Sequence, residues 1–170
     1  MNEINEIILR LESFILNPRK GLPEDVFLFL TRNTPMINTD LLIKNDCKQT
    51  LLTWRDDGYD DPGWHIPGGI IRYKESFSER IIETARKELG TGVEFNPVPL
   101  AINECILPQM TNRAHFVSFL FACSLTGEPD RDLEYRGGGP RTGEWMWHDR
   151  CPDKILSVHQ RIYRKFIDPA

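Results

Sequence analysis

The distribution of apolar residues along the chain changes its period several times and divides the chain into helical and extended segments. Apolar side chains that recur at i, i+3, i+4 and i+7 are typical of a helix with one buried face. This period predicts helices over residues 2–16, 23–32, 76–89 and 153–166. The first of them carries acidic residues opposite its apolar stripe, so it is amphipathic and packs either on the domain or on a second subunit.

Shorter segments rich in leucine, β-branched and aromatic residues predict strands. They cover residues 36–44, 49–54, 64–66, 98–107, 116–125 and 145–148. A hairpin-like break at residues 45–46 separates the first two, and polar loops fill residues 56–63 and 126–142. Strands on both sides of one central helix, followed by a closing helix, predict an α+β fold rather than a regular alternation of strands and helices.

The central helix has clear signals at both of its ends. Ser76 and Glu79 are spaced as a capping box, and Gly90 suits a left-handed cap at the C-terminus. The predicted buried face consists of Phe77, Ile81, Ile82, Ala85 and Leu89. A different stripe of the same helix carries Arg80, Thr84 and Glu88, which follow one another at i+4.

Glu88 lies near the last turn of this helix, where the helix dipole disfavours a negative charge. A bound cation would neutralise that carboxylate. Gly68 precedes the helix and allows the backbone to approach a ligand closely. Magnesium binds one or two carboxylates together with substrate phosphates. Gly68 and Glu88 are therefore the predicted metal ligands, with Mg²⁺ as the expected ion and Mn²⁺ as an alternative.

The composition of the chain argues against nucleic acids, membranes and zinc clusters as partners. The 170 residues suit one globular domain, and the net charge of −4 provides no general basic surface for a nucleic acid. No apolar run approaches the roughly 20 residues that a membrane span needs. The four cysteines include no CxxC pair, so a zinc cluster is not expected. We therefore expect a cytoplasmic protein that binds neither nucleic acid nor membrane.

The segment from Gly69 to Gly90 resembles the Nudix box. In that motif a glycine, five residues, a glutamate and seven residues precede Arg-Glu-apolar-x-Glu-Glu-x-Gly. The residues on register are Gly69, Glu75, Ala85, Glu88 and Gly90. Three positions depart from the motif: Glu83 replaces the arginine, and Thr84 and Lys87 replace two of the glutamates.

This depleted box is most similar to that of the GDP-mannose mannosyl hydrolase branch, in which one metal suffices. Residues 33–43, 51–55 and 63–69 also resemble that branch, so the likeness covers residues 22–170. The resemblance implies a Nudix-type α/β/α sandwich with a mixed central sheet over that range. Residues 1–21 form an added N-terminal helix extension.

The same resemblance implies a Mg²⁺-dependent hydrolase that releases the sugar and a nucleoside diphosphate from a nucleotide-sugar such as GDP-mannose. It also implies a homodimer. One alternative is cleavage of the phosphoanhydride in another nucleoside diphosphate derivative. A second alternative, motivated by the missing carboxylates, is a non-catalytic Nudix domain that binds a nucleotide or a partner protein.

Three residues are candidate substrate contacts. By resemblance, Asp40 and Arg55 match positions that contact the substrate. Arg72 follows the glycine pair by three residues, where it can reach a phosphate. For Asp40 a buried hydrogen bond to protein is an equal alternative, for Arg55 a surface salt bridge, and for Arg72 a solvated loop charge.

The catalytic base is assigned to Glu144 or His148. The mannosyl hydrolases place a histidine before the last strand, at a position that holds Thr142 in this chain. Glu144 and His148 are the nearest titratable side chains to that position. Many Nudix enzymes use a late glutamate in this loop, which favours Glu144, whereas a lone histidine at a strand end is more often structural.

Overall fold

A computed structural model describes residues 2–58 and 61–168. The loop expected at residues 56–63 includes residues 59 and 60, which lie outside the described part. The helices are α1 Glu3–Glu12, α2 Glu24–Thr31, α3 Phe77–Leu89 and α4 Ser157–Ile167. The strands are β1 Met36–Ile43, β2 Thr50–Arg55, β3 Gly63–His65, β4 Gly68–Ile70, β5 Val93–Phe95, β6 Ala101–Ile106, β7 His115–Leu125 and β8 Trp145–His148. Short 3₁₀ helices cover Pro18–Lys20 and Arg131–Leu133.

The strands form two sheets. In the larger one, β1 runs parallel to β7 and antiparallel to β4, while β5 and β6 pair antiparallel with β7. The smaller sheet is antiparallel, in the order β3-β2-β8. A single bridge joins Lys44 to Thr50 before β1 and β2 separate into different sheets. The break expected at residues 45–46 is therefore a corner between two sheets rather than a simple hairpin.

Alternation along β1 builds a core on each face of the larger sheet. Leu41 and Ile43 pack in a cluster that contains Ile81, Ala85 and Leu89 of α3. Leu42 instead packs in a second cluster with Tyr163 and Ile167 of α4. Helices thus cover both faces of a mixed sheet, because successive side chains of a strand point to opposite sides. The predicted α+β class and α/β/α sandwich are confirmed.

Local sequence signals determine both ends of α3. The Ser76 hydroxyl accepts from the Glu79 N–H, and the Glu79 carboxylate accepts from the Ser76 N–H, as the capping box requires. Gly90 adopts φ 68° at the C-terminus.

The predicted buried face of α3 is wrong for Phe77, which is 38% exposed although its ring contacts Phe119, and for Ile82, which is 51% exposed. The Ile82 case has a simple geometric cause. The Ile82 side chain follows that of Ile81 by about 100° around the helix, and this turns it away from the sheet.

Helix α1 is more exposed than the other helices. None of the α1 residues is buried, and Ile4 and Ile7 are more than half exposed. Its apolar stripe is thus present, as the sequence predicts, but lies at the surface of the chain. No helix in residues 2–58 or 61–168 combines the length and apolar character of a bilayer span.

Candidate functional site

A cleft of about 900 Å³ is lined in part by β1. Its lining comes from the segment before β1, from β1 and β2, from the glycine turn that includes β4, and from α3. The predicted site residues that line it are Asp40, Arg55, Gly68, Arg72 and Glu88. These residues are up to 48 positions apart in sequence, from Asp40 to Glu88, and the fold brings them to one surface.

Glu88 is held through both of its carboxylate oxygens. Oε1 accepts from the Gly68 N–H at 3.2 Å, and Oε2 accepts from the Thr53 hydroxyl at 3.1 Å. Burial raises the pKa of Glu88 to about 7, and the nearby Asp40 charge acts in the same direction. These two hydrogen bonds oppose the rise without cancelling it. The site therefore holds a carboxylate whose charge is disfavoured unless a cation is present.

Asp40 lies beside the same glycine. It pairs with Gly68 across β1 and β4, and its Oδ2 accepts from the hydroxyls of Ser118 and Tyr163. Burial raises the pKa of Asp40 to about 6. A Cβ at position 68 would overlap Oδ1 of Asp40. Glycine is thus required here because Asp40 approaches the backbone at a point that also binds Glu88.

Four arginines line the cleft: Arg55, Arg72, Arg80 and Arg113. Arg55 and Arg113 share the Asp57 carboxylate, with 3.1 Å between Nη1 of Arg113 and Oδ2 of Asp57. Arg72 donates to the backbone carbonyl of Arg19 at 3.0 Å. These guanidinium groups supply many hydrogen-bond donors in a planar arrangement that suits phosphate oxygens.

The stripe of α3 that carries Arg80, Thr84 and Glu88 faces the glycine turn. One departure from the Nudix motif, Thr84, lies on this stripe. Arg80 forms a buried ion pair with Glu75 at 2.7 Å, and thereby supplies a cation although Glu83 replaces the arginine of the motif. The Thr84 hydroxyl is buried and has no hydrogen-bond partner among the described residues. Glu83 and Lys87 pair with each other on the outer side, at 3.2 Å.

The structure does not bring Glu144 and His148 into the cleft. The Glu144 side chain accepts from the backbone N–H and from Nε of Arg141, at 2.9 and 2.8 Å. His148 packs its ring against Trp64, with 4.8 Å between the ring centroids. Burial lowers the pKa of His148 to about 4. Thr142 and Gly143, just before Glu144, do line the cleft.

Sequence reasoning missed Thr53, His65, Arg80 and Arg113 as cleft residues. Thr53 and Arg55 are two positions apart in β2, so alternation alone places their side chains on one face. Arg80 was visible on the same helix stripe as Glu88. His65 is brought opposite Thr53 by the register of β2 and β3, which a single sequence does not reveal.

The cleft residues fit a divalent cation that keeps part of its water shell. Among the described residues, no three His, Cys, Asp or Glu side chains cluster as a complete ligand set. Two carboxylates nevertheless meet at Gly68, and burial raises the pKa of both. Magnesium typically uses one or two carboxylates and retains several waters. A cation at this point would relieve the cost of burying these charges.

A curated protein matches part of this chain. No protein-family model matches the chain. The low-salt glycan biosynthesis protein Agl8 of Haloferax volcanii is 28% identical over 76 residues, which are 45% of this chain and 48% of that protein. The match therefore spans about half the length of this curated relative.

Solved structures identify the fold. A MutT Nudix hydrolase from Burkholderia pseudomallei has a TM-score of 0.59 at 20% identity, over 76% of this chain and 95% of its own. A UDP-X diphosphatase has a TM-score of 0.56 at 24% identity, over 96% and 76%. A Nudix hydrolase from Nitrosomonas europaea has a TM-score of 0.52 at 17% identity, over 81% and 82%. The chain therefore has the Nudix fold.

Proposed function

We propose that this chain, which has the Nudix fold, is a Mg²⁺-dependent hydrolase of a nucleotide-sugar similar to GDP-mannose, with release of the sugar and a nucleoside diphosphate. Mn²⁺ is the expected substitute for Mg²⁺. The proposal treats residues 22–170 as the catalytic domain and residues 1–21 as an extension. It includes a homodimer and a cytoplasmic location.

The observation that carries the proposal is the meeting of Asp40 and Glu88 at Gly68 in a cleft that also holds four arginines. Gly68 and Glu88 would hold the cation, which when bound neutralises charge on the diphosphate. Arg55 and Arg72 contact the phosphate oxygens, and Asp40 contacts the substrate with the oxygen that Ser118 and Tyr163 do not occupy. This arrangement stabilises a leaving diphosphate by preorganised charge.

An apolar wall supports the nucleoside part of the substrate. We define this wall as Leu22, Phe27, Leu30 and Met36, all of which line the cleft before or at the start of β1. Together with the arginines it gives the cleft both a charged and an apolar lining. A nucleoside diphosphate has the same division, since the base presents flat apolar faces and the diphosphate is anionic.

Two names among the similar proteins agree with this substrate class. One structural neighbour is named as a UDP-X diphosphatase, and the curated relative as a glycan biosynthesis protein. The first name describes hydrolysis of a uridine diphosphate derivative by that protein. We extend only the substrate class, a nucleoside diphosphate joined to a second group, to this chain.

The two candidate general bases, Glu144 and His148, differ in how close they lie to the cleft. Glu144 follows the cleft residues Thr142 and Gly143 directly, whereas His148 lies at the far end of β8 against Trp64. Glu144 is therefore the preferred base, and its action requires release from Arg141. It would take a proton from water as the water attacks the anomeric carbon and the bond to the diphosphate oxygen breaks.

A nucleotide-sugar panel in ¹⁸O-labelled water tests the proposal. We expect Mg²⁺-dependent turnover of one or more members, with the label in the released sugar. Label in phosphate would instead establish phosphoanhydride cleavage, the alternative hydrolase activity. Binding of the panel with no turnover would establish a non-catalytic domain and contradict the proposed activity.

Two variants of α3 make this test specific. Glu88→Gln removes the proposed ligand charge, and we expect it to abolish turnover. Glu83→Gln is the matched control, because Glu83 lies on the same helix and pairs with Arg86 and Lys87 outside the cleft. Full activity in Glu88→Gln would contradict the assignment of the cation site.

A further inference from the structure

A hydrogen-bonded chain of side chains leads from Glu88 into the protein. The Thr53 hydroxyl lies 3.1 Å from Oε2 of Glu88 and 3.0 Å from Nε2 of His65. Thr53 and His65 face each other across β2 and β3, so the strand register creates this contact. Neither residue belongs to the Nudix box, and both line the cleft beneath the two carboxylates.

The His65 ring is itself held in one orientation. Its Nδ1 lies 2.8 Å from the Ile66 carbonyl, which is an acceptor, so Nδ1 carries a proton. Nε2 is then the nitrogen that faces Thr53. The ring also packs edge-on against His159 at 5.7 Å, and the Ile66 N–H donates to Nδ1 of His159 at 3.2 Å. These contacts leave the ring little freedom to turn.

We propose that His65 and Thr53 are positioning residues for the cation site. The Thr53 hydroxyl has one hydrogen, so it donates to only one of these two neighbours at a time. In the metal-free protein a protonated Glu88 donates to the Thr53 oxygen and Thr53 donates to Nε2 of the neutral His65 ring; the Thr53 hydrogen points to Oε2 once Glu88 is charged. The fixed imidazole thereby holds the Thr53 oxygen in the place from which it contacts Oε2 of Glu88. Gly68 holds the other oxygen of the same carboxylate. Glu88 is thus held in a single geometry before any cation binds. The inference rests on the proposed function, since it assumes that Glu88 is a cation ligand.

Positioning of this kind has a measurable effect on metal affinity. Groups that hydrogen-bond to a metal ligand restrict its orientation, and their removal costs about 10- to 100-fold in affinity. A purely structural role for His65 and Thr53 would instead lower the stability of the protein and leave its affinity for the cation unchanged. The two roles therefore differ in what a substitution changes.

Two substitutions of His65 separate its two hydrogen bonds. The amide nitrogen of asparagine can replace Nδ1, so His65→Asn keeps the bond to Ile66 and loses the contact with Thr53. The amide of glutamine reaches the place of Nε2, so His65→Gln keeps the contact with Thr53. Thr53→Val and Thr53→Ser form a second pair: valine removes the hydroxyl at similar volume, and serine keeps the hydroxyl but lacks the methyl group.

The test is the affinity for Mn²⁺, measured on the full chain by the electron paramagnetic resonance signal of the free ion. We expect His65→Asn and Thr53→Val to weaken binding by about 10- to 100-fold. We expect His65→Gln and Thr53→Ser to stay within about threefold of the wild type. Saturating Mg²⁺ should restore turnover in His65→Asn, because the defect lies in cation binding. Thermal unfolding of each variant reports on folding separately.

Wild-type affinity in folded His65→Asn and Thr53→Val would overturn the inference and leave the proposed function intact. Equal losses in all four variants, together with lower thermal stability, would show a structural role and overturn it as well. If the wild type binds no Mn²⁺, or if Glu88→Gln binds it equally well, the proposed cation site fails and the inference fails with it.

Discussion

Glu88 occupies a position that is unfavourable for a charged carboxylate without a cation. Burial moves its pKa from the ordinary value of 4.5 to about 7. Between these two pH values the folded chain binds more protons at this group than the unfolded chain does. Its contribution to the free energy of unfolding is therefore fully present below about pH 4.5 and is lost as the pH rises through about 7.

This difference predicts a pH-dependent effect of Glu88→Gln in the metal-free protein. Glutamine resembles the protonated glutamate, so the variant and the wild type should have similar stability at pH 5. At pH 8 the variant should be more stable, by roughly 1 to 3 kcal/mol. Urea unfolding in a chelator at both pH values measures this. Glu83→Gln should show no such gain, and a difference independent of pH would contradict the account.

Gly68 is required because the backbone at this position lies against a buried carboxylate. In Gly68→Ala the new methyl group would overlap Oδ1 of Asp40. We expect a loss of stability of roughly 1 to 3 kcal/mol, typical of overpacking, together with weaker Mn²⁺ binding. Gly139→Ala is the control, because a Cβ there meets nothing within 4 Å. Equal, small effects of both substitutions in urea unfolding would refute the close approach.

The individual site residues differ in how far sequence can predict them. Asp40 and Glu88 were identified by resemblance and by the helix pattern, and both line the cleft. Alternation places Thr53 on the same face of β2 as Arg55, but its contact with His65 depends on the register between β2 and β3, which no local pattern reveals. The Glu144 carboxylate pairs with Arg141, a contact that the loop conformation decides and the spacing of residues does not.

The segment before β1 contacts the loop between β4 and α3, and also α3 itself. Arg19 donates to Glu79 at 2.8 Å, and Arg72 donates to the Arg19 carbonyl. These contacts join positions about 50 to 60 residues apart in sequence, so no local pattern predicts them. Phe27 of α2, which follows this segment in the chain, lines the cleft.

Helix α2 offers a matched test of the apolar wall. Phe27 lines the cleft, whereas Phe29 is 47% exposed and does not. We expect Phe27→Ala to raise KM for the nucleotide-sugar by roughly tenfold, since it removes apolar contact with the base. Phe29→Ala should leave KM unchanged. Inorganic pyrophosphate lacks a base, so its binding should be equal in both variants. An unchanged KM in Phe27→Ala would exclude this wall as the nucleoside site.

The hydrophobic pattern predicts some helices and strands of this fold and misses others. The boundaries of β8 and the caps of α3 agree with the sequence. The caps of α3 do so because hydrogen bonds between neighbouring residues determine them. Strand β4 was expected only as part of the turn after Pro67, and β5 was not expected at all. Both are three residues long and depend on pairing with β1 or β7.

For the whole molecule, the fold class follows from the order of elements, whereas the sheet arrangement depends on long-range pairing. The parallel pairing of β1 with β7 joins segments about 80 residues apart and fixes β1, which lines the cleft, between β4 and β7 in the larger sheet. Nothing in the local sequence of β1 specifies that partner. The division into residues 1–21 and 22–170 stays a prediction.

The homodimer also stays a prediction, with α1 as its expected contact. Ile4, Ile7 and Ile8 form an exposed apolar stripe on this helix. We expect sedimentation velocity to show a dimer for the wild type and a monomer for Ile7→Glu, because a charge in an apolar interface is unfavourable. Glu6→Gln, on the polar face, should leave the dimer intact. An identical sedimentation coefficient for Ile7→Glu and the wild type would exclude α1 as the contact.

The central claim is that Glu88 and Gly68 hold a cation that binds a diphosphate in this cleft. Calorimetric titration of GDP into the wild type and into Glu88→Gln, each with and without Mg²⁺, tests it most directly. We expect Mg²⁺ to strengthen GDP binding to the wild type at least about tenfold and to leave binding to the variant unchanged. Equal Mg²⁺-dependent binding of GDP by the wild type and Glu88→Gln would contradict it.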